Sequence, residues 1–319
     1  MIYNIEEKKY WVWFSLIKNI GIKRKQILLE KFLNPKKIYK LNKKQLLEVK
    51  GIGESLVNDI LNIETKKEVE KHIEFMDKND IDIISINDNQ YPEILKQIYD
   101  PPISIYVKGN KEILNNKNLA IIGCRDASSY GKSAAKYFAY NLSKEGYNIV
   151  SGLAKGIDSF AHIGNLAVLK EVKKIKEKNE SKILKKFGKA VAVIGSGLDQ
   201  IYPTENVELA NMIIENEGII ISEYSLGTKP LKMNFPARNR IISGLSKGII
   251  VVEAKAKSGT LITVDLALEQ GREVFVLPSN INEINSVGTN DLIKQGAICV
   301  TNYLDIVSEI SVKNLYGKN

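Results

Sequence analysis

The chain has 319 residues, 44% of them hydrophobic, and a formal net charge of +9 at pH 7, enough for roughly two domains of about 100–200 residues, each with its own core. No apolar run nears the roughly 20 residues of a membrane helix, and residues 1–10 carry Glu6 and Glu7 with no apolar signal core. Two distant cysteines, Cys124 and Cys299, with only His72 and His162 beside them, exclude a disulfide framework and a zinc site, so a cytoplasmic protein without metal is expected.

Residues 1–86 read as short helical pieces, with apolar residues at helical spacing around Ile27, Leu28, Leu29, Phe32 and Leu33, at Leu46 and Leu47, and over 57–61. Two glycine turns interrupt them, Ile20-Gly21-Ile22 before Lys23 and Lys25, and Lys50-Gly51-Ile52-Gly53 before Glu54. The second resembles a helix-hairpin-helix element, whose glycines let backbone N–H groups approach DNA phosphates. A plain turn in a small helical bundle fits the same residues.

Tyr91-Pro92 and Asp100-Pro101-Pro102 punctuate the join to a second domain, expected over 87–305. Apolar strand runs then alternate with amphipathic helices, at 119–123, 148–153, 190–195, 219–224, 248–254 and 273–278, with 297–301 as an edge strand. Six or seven strands joined by helices imply right-handed βαβ crossovers. The expected fold is therefore α/β, a Rossmann-like domain with a mostly parallel sheet preceded by a small all-helical domain, and with a short tail over 306–319. Residues 170–188 break the pattern with eight lysines and three glutamates. They extend the preceding helix or form a solvated loop, and a contact with nucleic acid stays open.

In an open parallel sheet, ligands collect at the carboxyl ends of the strands, where helix N-termini present N–H groups to anions. Those ends are rich in glycine, serine and basic residues: Gly123-Cys124-Arg125, the run 151–156 with Gly152 and Lys155, Gly195-Ser196-Gly197, and Ser258-Gly259-Thr260. A P-loop fails because Asp126 stands where Gly131-Lys132-Ser133 would need a glycine, and a dinucleotide fingerprint fails because Gln200 replaces its third glycine. No serine sits in a G-x-S-x-G elbow, which leaves a hydrolase to a convergence of Ser151, Asp158 and His162. The plainer expectation is that Asp158 caps its helix and His162 packs against the sheet with both ring nitrogens satisfied.

Residues 229–242 combine Lys229, Lys232, Phe235, Arg238 and Arg240 at the entry to a helix. Single-stranded nucleic acid needs this mixture, cations for phosphates and an aromatic face for a base. The same residues also suit a core anchor at Phe235 with salt-bridged surface arginines.

Taken in order, several motifs over about 91–304 resemble the DNA-processing family DprA, also called Smf. They are Gly123-Cys124-Arg125 with Tyr130-Gly131, the run 151–158 with Ala161-His162, the run 195–199 with Tyr202-Pro203 and Glu205-Asn206, Ser222-Glu223-Tyr224, the run 235–246, Val252-Glu253-Ala254, Ser258-Gly259-Thr260 and 271–274. The resemblance implies an extended Rossmann-like domain, homodimers, and single-stranded DNA bound in a basic pocket and handed to the RecA recombinase against the competition of single-strand binding protein. It implies a place in natural transformation and recombination, with no catalytic residue, cofactor, metal or membrane.

By motif, Arg125 and Lys232 would contact phosphates and Phe235 a base, while Arg238 and Arg240 would add charge or brace the pocket. The N–H groups of Gly152, Gly197 and Gly259 would form an anion nest, with Lys155 among the DNA contacts and Asn239 and Glu253 as supports. Glu253 is expected to bridge to Arg238 or Arg240 rather than act as a base. Cys124 stands where the family has a small hydroxyl residue, Asn234 where it commonly has histidine, and 170–188 is longer than the family's turn. No winged helix of the kind some members carry is expected after residue 305. The competing reading is an enzyme or sensor that acts on a nucleotide-derived small molecule in the same cleft.

Overall fold

The computed structural model describes residues 5–174 and 186–316. Six helices come first: α1 (Ile5–Leu16), α2 (Ile22–Phe32), α3 (Pro35–Tyr39), α4 (Lys43–Leu47), α5 (Glu54–Leu61) and α6 (Ile63–Lys78). Their boundaries follow local chemistry. Asn34 caps α3 by accepting from the Lys37 N–H just ahead of a proline at the first helical position, and Asn42 with Gln45 makes a reciprocal capping box on α4. Gly51 at φ +86 lies in the left-handed region, which explains a glycine in the turn before α5.

The sheet is built from β1 (Ile81–Ser85), β2 (Ser104–Gly109), β3 (Asn118–Ile122), β4 (Asn148–Ser151), β5 (Ala190–Ile194), β6 (Ile219–Ser222), β7 (Gly248–Val251), β8 (Glu273–Val276) and β9 (Ile298–Cys299). Their spatial order is β1-β2-β6-β5-β4-β3-β7-β8-β9. Strands β3 to β9 pair in parallel, and every residue of β3, β4 and β5 is buried, as a sheet covered on both faces requires. The fold is thus the expected mostly parallel α/β sheet, with two strands more than the sequence suggests. Both additions, β1 and β2, are antiparallel, β2 against β6 and β1 against β2. The boundary placed at residue 86 falls just after β1, so that strand belongs to the sheet.

Between the strands run α7 (Glu93–Lys96), α8 (Ser129–Lys144), α9 (Ile157–Lys174), α10 (Val207–Glu215), α11 (Asn234–Gly244), α12 (Gly259–Glu269) and α13 (Val287–Lys294), and α14 (Tyr303–Tyr316) follows β9. Helices α8, α9 and α14 share one apolar cluster through Phe138, Leu142, Ala161, Ile306 and Ile310. Helices α7, α11 and α12 share another on the opposite side of the strands through Leu95, Ile241, Leu245 and Val264. A third cluster joins Trp13, Phe14 and Leu28 of the first helices to Tyr106 of β2 and Ile213 of α10. What reads as a short tail in sequence is largely helical. Of the lysine-rich run, residues 175–185 lie outside the described residues, and α9 carries the chain as far as Lys174.

Candidate nucleic-acid interface

On either side of β3 the winding changes direction: β4, β5 and β6 build outward one way, and β7, β8 and β9 the other. Loops leaving the carboxyl ends of such strands diverge, and the gap is where open α/β sheets hold ligands. Here the gap is an open crevice of about 670 Å³. Its walls include Arg125 and Asp126 after β3, Asp158 on α9, Lys232, Phe235 and Arg238 around the start of α11, and Lys255 with Gly259 after β7. A small recess of about 40 Å³ adjoins it, bounded by Arg125, Gly152, Lys155, Tyr202, Phe235 and Arg238.

Aromatic and cationic groups meet at the mouth. The Arg125 guanidinium lies 5.5 Å from the Phe235 ring centroid, and the Tyr202 ring stands 5.8 Å from Phe235 at 37°. Gly195 makes room for this ring, because a Cβ there would sit 3.1 Å from Phe235 Cδ1. Phe235 is only half-buried, and Tyr202 is 45% exposed, so the pair has a face toward solvent. Arg125 and Lys232 are exposed, and Lys255 lies 3.7 Å from Asp126 in a largely solvated pair.

The floor is different in kind. Arg238 is 4% exposed, and its Nη1 donates to the carbonyls of Gly152, at 2.6 Å, and Val193. Burial lowers its pKa to about 10, opposed by the neighbouring Asp158 carboxylate, so it stays cationic at neutral pH. Asp158 accepts from the N–H groups of Gly152 and Ala154 at 3.1 and 3.4 Å, so it ties down the loop that leads into α9 rather than capping the helix's own first turn. Burial pushes its carboxyl up, and Arg238 together with these donors holds it down. A Cβ on Gly152 would stand 2.5 Å from Arg238 Nη1 and 2.6 Å from Asp158 Oδ2, so this glycine serves the buried charge cluster.

Several expected site residues sit elsewhere. The three glycines do not form one nest: the Gly152 N–H goes to Asp158, and the Gly197 N–H goes to the Thr228 carbonyl at 2.9 Å. Gly259 does border the crevice, at the N-terminus of α12, where open space surrounds it and the Ser258 hydroxyl is buried with no partner among the described residues. Lys155 is engaged with Glu205 at 2.6 Å, both half-exposed, a pair that water screens strongly. Asn239 borders the crevice, and its Oδ1 accepts from Arg238 Nε at 3.2 Å.

Arg240 turns away from the crevice. Its guanidinium makes a two-pronged pair with Glu223, at 2.9 and 2.6 Å, and reaches Asp100 Oδ2 at 3.0 Å. Glu253 meets neither arginine. Its carboxylate accepts from the Ser128 N–H at 3.1 Å and from the Ser128 hydroxyl, and Asn285 donates to it at 3.4 Å. It therefore sits at the positive end of α8, packed where a Cβ on Gly131 would stand 2.4 Å from its carboxyl carbon.

Ser151, Asp158 and His162 form no relay. The Ser151 hydroxyl donates to the Ile121 carbonyl at 2.7 Å, and His162 is fully buried with neither ring nitrogen partnered among the described residues. The expectation of satisfied ring nitrogens is therefore overturned. Burial holds the imidazole neutral, with its pKa lowered to about 3. Among the described residues, no group of three or more His, Cys, Asp or Glu is placed to hold a metal ion. Burial also raises the Cys124 thiol, which disfavours a reactive thiolate beside Arg125.

A doubly wound α/β sheet with a basic, aromatic-edged crevice at its switch point defines a Rossmann-like protein equipped for an anionic ligand with flat rings. The profile of the family described as DNA recombination-mediator protein A matches residues 82–311, and the chain belongs to that family. It is 40% identical to DNA processing protein DprA of Bacillus subtilis (strain 168) over 236 residues, 74% of this chain and 73% of that protein. The X-ray structure of DNA processing protein A from Streptococcus pneumoniae superposes with a TM-score of 0.76 at 33% identity, covering 94% of this chain and 97% of the other. A Helicobacter pylori DNA processing protein A structure, reported for its single-stranded DNA binding mode, superposes with a TM-score of 0.60 at 30% identity, covering 72% and 96%.

Proposed function

We propose that this protein binds single-stranded DNA in the crevice at the carboxyl edge of the sheet and passes it to the RecA recombinase, without a catalytic step of its own. One observation carries the reading: Arg125, Phe235 and Tyr202 gather cation and stacking surface at one mouth, with Lys232 on the same wall. Phosphates meet Arg125, Lys232 and the start of α12 at Gly259, and a base lies against Phe235 and Tyr202. Arg238 braces the floor from beneath. The family and the Helicobacter pylori relative, whose reported binding is to single-stranded DNA, support the same ligand.

Phosphates and ring faces belong to every sequence, so preference among sequences should be slight. Displacement of single-strand binding protein and work as a cytoplasmic homodimer complete the proposal. Exposed Ile262 and Leu268 on α12 offer apolar surface for such pairing.

Fluorescence-anisotropy titration of a labelled single strand and its duplex at two salt concentrations tests the crevice. Preference for the single strand, weakened in both Arg125→Ala and Lys232→Ala, supports it. With about three phosphates neutralised, log affinity should fall against log salt with a slope near −2. Unchanged binding in both variants would remove DNA from the crevice, and no binding by the parent would favour a small nucleotide-derived ligand.

A further inference from the structure

A second basic and aromatic surface lies outside the crevice, in a groove between α8 and α9. Gly164 lets the two helices touch at the groove's floor, since a Cβ there would stand 2.5 Å from the Lys136 carbonyl oxygen. The groove encloses about 320 Å³ between Lys136, Tyr137 and Tyr140 on α8 and Ile163 and Ala167 on α9. Nearer the carboxyl edge of the sheet, where α8 and α9 begin after β3 and β4, half-buried Phe160 has Lys132 Nζ and Lys136 Nζ 5.6 and 5.0 Å from its ring centroid. Lys144 Nζ lies 5.4 Å from the Tyr140 ring.

Helix α8 holds three lysines in its 16 residues and no aspartate or glutamate. On α9, Glu171 accepts from the Tyr140 hydroxyl at 2.5 Å at the far end. From Lys132 to Lys144 the helix rises about 18 Å at 1.5 Å per residue, so the lysine and ring pairs repeat along a track.

We infer that this groove is a second contact for the strand held in the crevice. DNA passing the start of α9 lays phosphates against Lys132 and Lys136 and a base against Phe160 or Tyr137. The inference rests on the crevice being a single-stranded DNA site. Charge decides the class of occupant. A protein partner would have to strip water from ammonium groups, which is why lysine is depleted in protein interfaces, whereas a polyanion meets them with release of its own counterions. Tyr137 is exposed, and Phe160 is covered by lysine ends that a phosphate can draw aside.

The test compares the full chain with K132Q/K136Q, using one oligonucleotide of about four nucleotides and one of about sixteen, the range of site sizes seen for single-strand binders. The longer strand should bind the variant about tenfold more weakly, with a salt slope flatter by about 1.4, or 0.7 for each of two phosphates. Affinity for the short strand should not change, and K132R/K136R should restore the loss, which separates charge from folding. An unchanged salt slope for the longer strand would overturn the inference, as would an equal loss for both lengths. If the parent binds neither length, the crevice reading falls and takes this one with it. If Arg125→Ala spares binding while K132Q/K136Q weakens it, the crevice reading fails, and the inference of a second contact for a strand held there is overturned with it.

Discussion

The guanidinium of Arg125 lies over the ring of Phe235, 5.5 Å from its centroid, and so joins a phosphate-seeking charge to a stacking face in one contact. The two residues come from different crossovers, one following β3 and the other opening α11. Each group can be removed without the other, which separates the two sources of affinity.

Phe235→Ala should cost about 1–3 kcal/mol of single-stranded DNA affinity, the usual worth of one stacked base, and leave the salt slope unchanged. Arg125→Ala should instead flatten that slope by about 0.7. Anisotropy titrations over a salt series read both numbers. A flattened slope in Phe235→Ala would show that the ring acts by holding Arg125 and not by stacking.

Arg240 and Glu223 form a buried two-pronged pair on the far side of α11, with side chains 5% and 16% exposed. Removing one partner leaves the other charge uncompensated, a loss on the order of 3–5 kcal/mol. Arg240→Ala should therefore unfold at markedly lower urea concentration, while the fraction still folded binds DNA as the parent does. Weakened binding at full folding would return Arg240 to the crevice.

His162 gives the protein an acid-sensitive core. Its folded pKa of about 3 lies below the ordinary 6.5, so between those values the unfolded chain holds a proton that the native state refuses. The stability from the neutral ring is complete above about pH 6.5 and falls by about 1.4 kcal/mol per unit as pH drops toward 3. Asp158, raised by burial, acts in the opposite direction nearer its own range, so the comparison belongs above about pH 5. Urea denaturation should show about 2 kcal/mol lost between pH 6.5 and 5, and His162→Gln should remove most of that loss. An identical acid loss in the variant would place the titrating group elsewhere.

The parallel strands were legible because each is a continuous apolar run closed by glycine or serine, and the crevice followed from their carboxyl ends. Strands β1 and β2 were not read. They lie among the prolines at 92, 101 and 102 and join the sheet by antiparallel pairing, outside the alternation of strand and helix that reveals the rest. Tyr202 stood in a recognised motif, yet its contact with Phe235 joins distant parts of the chain. Lys255 carried no local signal, and Ser258, although it stood in a recognised motif, gave none that its hydroxyl would be buried without a partner among the described residues.

By itself the sequence determined the α/β class, the family and the set of cations and aromatics available at one edge, because periodicity and local motifs are properties of neighbouring residues. Only the tertiary structure decided which of those groups share a space. Arg238 and Arg240 are two residues apart, about 200° around a helix, so one faces the crevice and the other faces Glu223. Glu253 lies two residues beyond the central strand β7, and the N-terminus of α8, rather than either arginine, supplied its partners. Direction and partner are settled by packing between elements, and no local stretch of sequence contains both sides of that contact.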